Sequence, residues 1–443
     1  MPSVLRHPTY RRLFTAQVVA LVGTGLATVA LSLLAYDLAG ADAGSVLGTA
    51  LAVKMVAYVG TAPLIGAATR RLPRRTLLIG ADVTRAGAAL TLPFVTEVWQ
   101  VYLLIFLLQS ASAAFTPAFQ AVIPEILPEE RDYTRALSLS RLAYDLESLF
   151  SPALAAALLT LVSYDRLFLG TVAGFLASAA LVVSVTLPDL GASKEVRGGA
   201  VRLFRSTPRL RALLALNLAV AAASAMVTVN TVVYVRDHLH RSAADVPLAL
   251  GSYGAGSMTC ALLLPRLLDR RTDRSLMLPA AFALAALLGL TAAGSHAPTN
   301  WRWPALLVAW AAVGAATSLI LTPTGRLIRR SAARADLSAA FAAQFSLSHG
   351  CWLLTYPLAG WLGATAGLST AALALAALAG GAALLALRLW PAHDPARVEH
   401  VHHRLTGAHP HLTGAHPSGA GWRHTHDYVI DDLHHRWPRP ATH

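Results

Sequence analysis

The sequence predicts an all-α membrane protein in which twelve transmembrane helices form two six-helix pseudo-repeats, followed by a disordered tail. Of the 443 residues, 55% are hydrophobic and only 13% are charged, whereas soluble domains carry about 25% charged residues. Twelve apolar runs approach the roughly 20 residues that one helix needs to cross a bilayer. Short motifs of the first half recur about 200 to 206 residues later. These observations exclude a soluble enzyme and a disordered scaffold.

Each apolar run is predicted to form one membrane helix. The runs lie at 13–38, 45–68, 76–96, 99–122, 137–163, 166–187, 210–234, 246–268, 275–294, 303–325, 337–364 and 368–390. Several contain Gly or Pro, which membrane helices tolerate because neighbouring helices satisfy the freed backbone groups. The first run has no small-residue cleavage site before it ends, so we interpret it as a membrane helix and not as a signal peptide.

The distribution of basic residues predicts the topology. With the N-terminus placed in the cytoplasm, the inside segments contain 23 Lys and Arg residues and the outside loops contain 4. The positive-inside rule therefore predicts a multi-pass protein of the cell (inner) membrane with both termini cytoplasmic. This topology also explains the net charge of +13, so we expect the lipid bilayer and not nucleic acid as partner. We expect a monomer.

An internal repeat divides the chain into two halves. The pair Thr116-Pro117 recurs as Thr322-Pro323, and Pro152 in the fifth run matches Pro357 in the eleventh. Several matches at nearly one offset indicate parallel six-helix halves, an architecture that is typical of transporters. The predicted domains are an N-terminal half at 1–188, a cytoplasmic linker at 189–209, a C-terminal half at 210–390 and a His-rich tail at 391–443.

The basic loop between the second and third runs carries a family resemblance. It reads Gly66-Ala67-Ala68-Thr69-Arg70-Arg71-Leu72-Pro73-Arg74-Arg75 and resembles the signature loop of the major facilitator superfamily, Gly-x-x-x-Asp-Arg-x-Gly-Arg-Arg. Arg70 replaces the Asp and Pro73 replaces the second Gly, and the antiporter motif of the fifth helix is reduced to Ser151-Pro152-Ala153-Leu154-Ala155-Ala156. The resemblance covers about 8–390 and implies a secondary transporter, not an enzyme. The chain has no phosphate-binding Gly-x-x-x-x-Gly-Lys-Ser/Thr loop, which argues against ATP-driven transport.

The tail holds 12 of the 17 histidines in 53 residues. Neutral imidazole is a ligand suited to zinc, copper and nickel, so the closely spaced histidines are predicted to bind metal. They are His400, His402, His403, His409, His411, His416, His424, His426, His434 and His435. The duplicated segment Leu405–Pro410 and Leu412–Pro417 is typical of a flexible, low-complexity chain. The alternative is a solvated tail without a metal role.

The eleventh run carries several polar and aromatic candidates for the substrate pathway. They are Gln344, His349, Cys351, Trp352 and Tyr356. His349 shares a helix face with Trp352 or Tyr356 more easily than with Cys351, which lies about 200° away around the helix. The alternative is a His bonded to a neighbouring helix beside an inert Cys. Ala343–Gly360 resembles the eleventh helix of the nickel-resistance exporter branch, whose members also carry His-rich C-terminal tails.

Polar residues within the other runs are further candidates, because such residues are expensive inside a membrane. Asp37, Asp145 and Glu147 could partly neutralise a divalent ion and exchange a proton, and Asn217 corresponds to Gln17 at the repeat offset of 200. Structural alternatives exist. Asp82 and Arg85 stand three residues apart and can pair with each other, and Glu147 can pair with Arg141 or Lys54.

These features predict an efflux transporter that exports divalent nickel or cobalt, driven by the proton gradient, and confers metal resistance. The ion, with zinc as a further candidate, is then the substrate, and we expect no cofactor. The alternative is an exporter of drugs or other organic compounds, including siderophores, bound by aromatic side chains such as Phe341, Phe345, Trp352 and Tyr356. A non-transporting membrane metal sensor is the third hypothesis. Fold alone does not determine the substrate.

Overall fold

A computed structural model gives the architecture of the chain. It describes residues 4–39, 43–61, 72–187, 199–242, 245–293, 299–394, 397–403, 405, 409–419, 421–430, 433–434 and 437. The predicted signature-like loop lies largely outside these ranges, at 62–71.

The described residues form twelve long helices, one for each predicted run. They are α1 (Pro8–Ala39), α2 (Ala43–Gly60), α3 (Arg74–Thr91), α4 (Val98–Ile126), α5 (Glu130–Leu159), α6 (Tyr164–Val183), α7 (Pro208–Val233), α8 (Asp245–Leu268), α9 (Asp273–Ala293), α10 (Thr299–Leu321), α11 (Leu337–Ala366) and α12 (Leu368–Leu389). Of these described helices, nine are long and apolar enough to cross a membrane; the other three are α2, α5 and α11. The twelve-helix prediction is confirmed.

Local sequence signals set several helix boundaries. Pro208 occupies the first turn of α7, where its missing N–H is not needed by the helix. Glu97 and Gln100 form a reciprocal capping box at the start of α4. Gly367 separates α11 from α12 with φ of 85°, a conformation that glycine adopts without steric cost. The sharp break between the last two apolar runs therefore depends on this glycine.

Small residues allow close helix packing within each half. In the N-terminal half, Gly23 of α1 faces Gly174 of α6, and the Thr171 hydroxyl donates a hydrogen bond to the Gly23 carbonyl over 2.9 Å. In the C-terminal half, Gly256 of α8 packs directly on the backbone of α10 at Ala311. Membrane helices associate through such small residues because lipid offers no hydrophobic driving force between them.

The two halves meet along three helix pairs, which are α2 with α11, α4 with α11, and α5 with α8. We define the basic face as the end of the bundle that carries the start of α1, the α4–α5, α8–α9 and α10–α11 connections and the end of α12. At this face Arg326 pairs with Glu130 across the halves over 3.1 Å. Arg329 also pairs with Glu130, over 3.6 Å. The described halves are therefore joined at the basic face.

The predicted linker contains an amphipathic helix. The linker helix (Gly199–Ser206) inserts Leu203 and Phe204 into the core of the C-terminal half, where Phe204 is buried. Residues 188–198 lie outside the described ranges. The linker is therefore docked on the second half along its described part.

The structure corrects the prediction of a disordered tail. The described tail residues form a three-stranded antiparallel sheet in the order β1 (Arg397–His402), β3 (Gly421–Asp427), β2 (His416–Ser418). Tyr428 and Ile430 are buried in the core of the C-terminal half, and Val398 and Trp437 pack against it. These apolar anchors and the strand-like alternation of the histidines were not predicted from the low-complexity sequence of the tail.

We expect Gly256→Ala to destabilise the protein, because the added Cβ would lie 1.9 Å from the Ala311 carbonyl oxygen. Overpacking of this kind typically costs about 1–3 kcal/mol. The measurement is the melting temperature of the detergent-purified protein. Gly251→Ala in the same helix is the matched control, because its Cβ would meet nothing within 4 Å. Equal melting temperatures of the two variants would contradict the close α8–α10 packing.

Candidate functional site

A cavity of about 520 Å³ lies between the two halves. Both halves contribute to its wall, which is the expected arrangement at a repeat interface. The lining residues are Gln17, Lys54, Met55, Tyr58, Thr116, Gln120, Ile123, Leu137, Ser140, Arg141, Tyr144, Ser224, Thr228, Tyr253, Thr317, Leu321, Thr322, Thr324, Gly325, Phe341, Gln344, Phe345, Ser348, His349, Trp352 and Tyr356. Cavities of 300–1,000 Å³ commonly bind drug-sized ligands.

The wall of the cavity is aromatic and polar but has no acidic residue among its described lining. Its cationic side chains are Lys54 and Arg141, from α2 and α5. Lys54 lies 5.6 Å from the centre of the Tyr58 ring, within the range of a cation–π interaction. A divalent cation in the cavity would find no anionic ligand in this described lining to balance its charge. The surface suits an organic molecule with apolar bulk and hydrogen-bonding groups.

His349 sits within an aromatic cluster on α11, as the sequence predicted for its shared face with Trp352. Its ring lies 4.6 Å from the Tyr58 ring, 4.2 Å from the Phe345 ring and 5.3 Å from the Trp352 ring. Its Nδ1 lies 2.7 Å from the Phe345 carbonyl oxygen. Because a carbonyl only accepts, Nδ1 carries a proton and Nε2 is the nitrogen left to meet a ligand. Tyr58 and Phe345 together bridge the two halves at this point.

Uncharged polar groups complete the cavity wall. Tyr58 donates a hydrogen bond to the Gln109 side-chain oxygen over 2.7 Å. Ser140 donates to the Gln17 oxygen over 3.2 Å. The side-chain oxygen of Gln344 is buried without a hydrogen-bond partner, although a buried polar atom normally has one. A ligand donor in the cavity would satisfy it.

Asp145, which was predicted to act in transport, forms part of a cross-half latch. Its carboxylate pairs with Arg141 over 2.9 Å and accepts a hydrogen bond from Ser257 of α8 over 2.7 Å. Arg141 also donates to the Ser257 hydroxyl, over 3.0 Å. Asp145 is buried and absent from the cavity lining. The latch explains the contact between α5 and α8.

The remaining predicted pathway residues divide between the cavity and the protein interior. Gln344, His349, Trp352 and Tyr356 line the cavity. Cys351 does not; its thiol lies 3.5 Å from the Leu347 carbonyl of its own helix.

Two further candidates are not among the lining residues of the cavity. Asn217 is fully buried and its side-chain atoms have no hydrogen-bond partner. Glu147 is half-buried and interacts electrostatically with Lys54, which was one of its predicted structural partners. The side chain of Asp37 lies outside the described residues.

The expected pairing of Asp82 with Arg85 is present in the interior of the N-terminal half. The two side chains form a buried ion pair. The Arg85 guanidinium also stacks on Phe115 at 4.3 Å and on Phe175 at 4.5 Å. Both charges are thus compensated within the protein, which supports a structural role.

Five of the predicted tail histidines converge on one point. They are His400, His402, His411, His426 and His434, and their candidate ligand nitrogens lie within 4.8 Å of one another. The sheet creates this convergence, because residues two apart on a strand share a face. His400 and His402 project from β1, His426 projects from the adjacent β3, and His411 comes from the turn before β2.

The other predicted metal ligands lie outside this group. His424 pairs with His400 across the sheet, and their rings are 4.7 Å apart. His403 and His416 are exposed, His409 is half-buried, and His435 lies outside the described residues. Burial lowers the pKa of both His400 and His424 to about 4. These two rings are therefore neutral at physiological pH, the state that can bind a metal.

The sequence analysis missed much of the cavity wall. Tyr58, Tyr144 and Tyr253 line it from three helices, and none was a candidate. The available signal was the presence of polar atoms within apolar runs. The prediction relied on charged residues and therefore selected Asp145, which forms an ion pair with Arg141 and a hydrogen bond with Ser257.

The sequence profile of the Major Facilitator Superfamily matches residues 13–235 and 213–425. A macrolide efflux protein A from Streptococcus pyogenes is 29% identical over 184 residues, which cover 40% of this chain and 45% of that protein. The matched stretch thus spans about half of the length of this relative.

Solved structures show the same fold at low sequence identity. A bacterial homologue of the iron transporter ferroportin, in an outward-facing state, matches with a TM-score of 0.72 at 12% identity, covering 86% of this chain and 99% of that chain. The human organic anion transporter MFSD10 (TETRAN) matches with a TM-score of 0.69 at 13% identity, covering 86% and 99%.

We expect Asp145→Ala to destabilise the protein by up to about 3–5 kcal/mol, because it leaves Arg141 without its anionic partner in a largely buried site. The double variant Arg141→Ala/Asp145→Ala should recover part of this loss, since residues in contact are not additive. Thermal unfolding of the purified single and double variants is the measurement. If the double variant loses as much as the two single variants together, the pair does not act as a latch.

Proposed function

The chain belongs to the Major Facilitator Superfamily, and we propose that it exports organic compounds of drug size. Members of this superfamily are multi-pass membrane transporters, so the chain is a transporter and not an enzyme. The finer question is the substrate, for which the sequence favoured a metal ion and left an organic compound as the alternative.

The single observation that carries the proposal is the composition of the cavity wall. Aromatic rings from both halves, including Tyr58, Tyr144, Tyr253, Trp352 and Tyr356, surround a space of about 520 Å³. Amphipathic rings offer large apolar contact together with polar edges. Amides and hydroxyls supply hydrogen bonds. The whole lining is that of a site for an organic ligand.

A metal cargo fits this cavity poorly. A divalent ion that sheds its water in a low-dielectric site requires charged or strongly donating ligands. Among the described residues, the group of three or more His, Cys, Asp or Glu able to hold a metal lies in the tail and not in the cavity. In the cavity, His349 is the candidate metal ligand. The described lining offers it no acidic or cysteine side chain as a second ligand. Nickel or cobalt export remains the second candidate function because of the tail.

The similarity to a macrolide efflux protein supports an organic substrate. That relative is named for the export of a class of bulky organic drugs. Because the two proteins are 29% identical over 40% of this chain, we propose that this chain also acts in efflux. The identity of the exported compound stays open. Macrolides are therefore the first class to test, beside other amphiphilic drugs.

The ion pairs of the basic face suggest how export proceeds. We take the basic face as cytoplasmic, from the distribution of Lys and Arg in the sequence. In the present conformation Glu130 of one half pairs with Arg326 and Arg329 of the other, so the halves are closed on this side. Loading from the cytoplasm then requires these pairs to separate, and release follows when they reform.

Proton coupling requires a group that can exchange a proton near the cavity. We propose Glu147, which is half-buried on α5 and interacts with Lys54 of the cavity wall. Protonation of Glu147 would remove the negative partner of Lys54. The charge presented to the substrate would then change with each proton bound.

Trp352→Ala should reduce drug export at least about tenfold, because loss of a buried aromatic contact costs well over 1.4 kcal/mol. Cys351→Ala is the matched control on the same helix and should export like the parent protein. Export is measured in cells at matched expression with a panel of radiolabelled macrolides and fluorescent drugs, and with radioactive nickel. Nickel export in the absence of any drug export would overturn the organic-substrate proposal in favour of the metal candidate.

Glu147→Gln, which imitates the protonated carboxyl, should abolish drug accumulation driven by a pH gradient in proteoliposomes. Exchange of labelled for unlabelled drug across the membrane should persist, because exchange does not need net proton movement. Glu129→Gln, at an exposed position, is the control. Gradient-driven transport that survives in Glu147→Gln would show that another group carries the proton.

A further inference from the structure

The cluster of tail histidines, His400, His402, His411, His426 and His434, has the geometry of an ion site before any ion is bound. The Nε2 atom of His400 lies 3.0 Å from Nε2 of His402 and 3.0 Å from Nε2 of His434. Its Nδ1 lies 3.1 Å from the Val398 carbonyl oxygen, which only accepts. Nδ1 therefore carries the proton of the neutral ring, and Nε2 presents a single lone pair to two neighbouring nitrogens. That lone pair can accept one N–H at most, and it is the pair that a metal ion would bind.

Buried nitrogens in and beside the cluster also point to an ion site. The Nε2 atom of His426 in the cluster and that of the neighbouring His424 are buried and lack a hydrogen-bond partner. Imidazole nitrogens bind zinc at about 2.0–2.1 Å, so two ligands of one ion lie at most about 4.2 Å apart. The five candidate nitrogens span up to 4.8 Å. This spread is close to the diameter of the coordination shell of one ion.

The cluster is attached to the membrane domain through aromatic contacts. The Tyr428 ring lies 4.9 Å from the His400 ring and 4.5 Å from the His434 ring. On its other side, Tyr428 lies 5.1 Å from the Trp437 ring. Trp437 in turn lies 4.7 Å from the guanidinium of Arg209, at the start of α7. Aromatic contacts thus connect the histidines, through Tyr428 and Trp437, with a buried cation.

Arg209 belongs to a network that continues to the cross-half ion pairs. It pairs with Asp394 over 3.1 Å and donates to the Arg330 carbonyl over 2.6 Å. Arg330 pairs with Asp273 over 3.2 Å. Asp273 also pairs with Arg326, over 3.2 Å, and Arg326 is the partner of Glu130 in the other half. Ion pairs, linked by one hydrogen bond to a backbone carbonyl, therefore run from the base of the tail to the closure of the basic face.

We propose that the histidine cluster of the tail binds one divalent transition-metal ion and that the bound ion stabilises the closed basic face. The ion draws β1, β3 and the segment of His434 together and fixes Tyr428 against Trp437. Trp437 then holds Arg209 in the position that aligns Asp394 and Arg330. The metal acts as a regulator of opening and not as cargo, and this role does not depend on which substrate the cavity carries.

The test uses the full-length protein in nanodiscs, with Cys260 and Cys351 replaced by Ala and spin labels attached to Thr186→Cys and Arg271→Cys. Both label positions are exposed at the basic face, one in each half. Nickel and zinc are titrated in separate experiments. Mass spectrometry measures the bound metal, and double electron–electron resonance measures the distance between the two spin labels. We expect one tightly bound ion per chain and a shift of the distance distribution to shorter, narrower values.

Three variants separate the site from the tail as a whole. His400→Ala/His402→Ala should weaken binding by more than the 10–100-fold that loss of an outer-shell partner causes, and the distance shift should disappear. His403→Ala/His416→Ala removes two exposed histidines and should behave like the parent. Trp437→Ala should bind the ion but lose most of the distance shift.

Two results would overturn the proposal. The first is equal loss of binding in His400→Ala/His402→Ala and His403→Ala/His416→Ala, which would indicate unspecific chelation along the tail. The second is binding of one ion per chain in the parent protein without any change of the distance between the spin labels. This result would show that metal binding is not coupled to closure of the basic face. If the first pair of substitutions prevents folding, as judged by size-exclusion chromatography, His411→Ala/His434→Ala tests the same site.

Discussion

Buried charge pairing at the basic face is the interaction on which the rest of this structure depends. Asp273 and Arg209 are almost completely buried, and a buried charge without a partner is strongly destabilising. Asp273 can remain there because Arg326 and Arg330 approach it from the α10–α11 connection. The same Arg326 reaches Glu130 of the other half. One set of charges therefore stabilises the C-terminal half and joins it to the N-terminal half.

The position of this closure determines where the cavity can open. The described contacts between the halves lie at the basic face and along α2–α11, α4–α11 and α5–α8, and the cavity lies between the halves. The helices that carry its polar wall include α2, α5 and α11. Their polar side chains, which would be costly against lipid, line the cavity.

The sequence predicted the helices well, because a bilayer requires long apolar runs and leaves little freedom in their ends. It also predicted the Asp82–Arg85 pair, which depends only on helical spacing. It could not predict the cavity wall, because Tyr58 and Phe345 come together only when the two halves pack. The tail was wrongly predicted as disordered because its duplicated segment, with Gly and Pro, is typical of a low-complexity chain. In a strand, the H-x-H spacing of His400 and His402 places both rings on one face, where they become part of a packed cluster.

Photochemical labelling is a direct test of the proposed binding site for organic compounds between the two halves. A macrolide carrying a photoreactive diazirine would be irradiated with the purified protein in nanodiscs, and the labelled peptides identified by mass spectrometry. We expect labels on the cavity-lining segments around Tyr58 and Trp352, and we expect excess unlabelled drug to suppress them. Labels confined to lipid-facing positions such as Phe106 or Val308, both exposed on the outside of the bundle, with no competition by unlabelled drug, would contradict it.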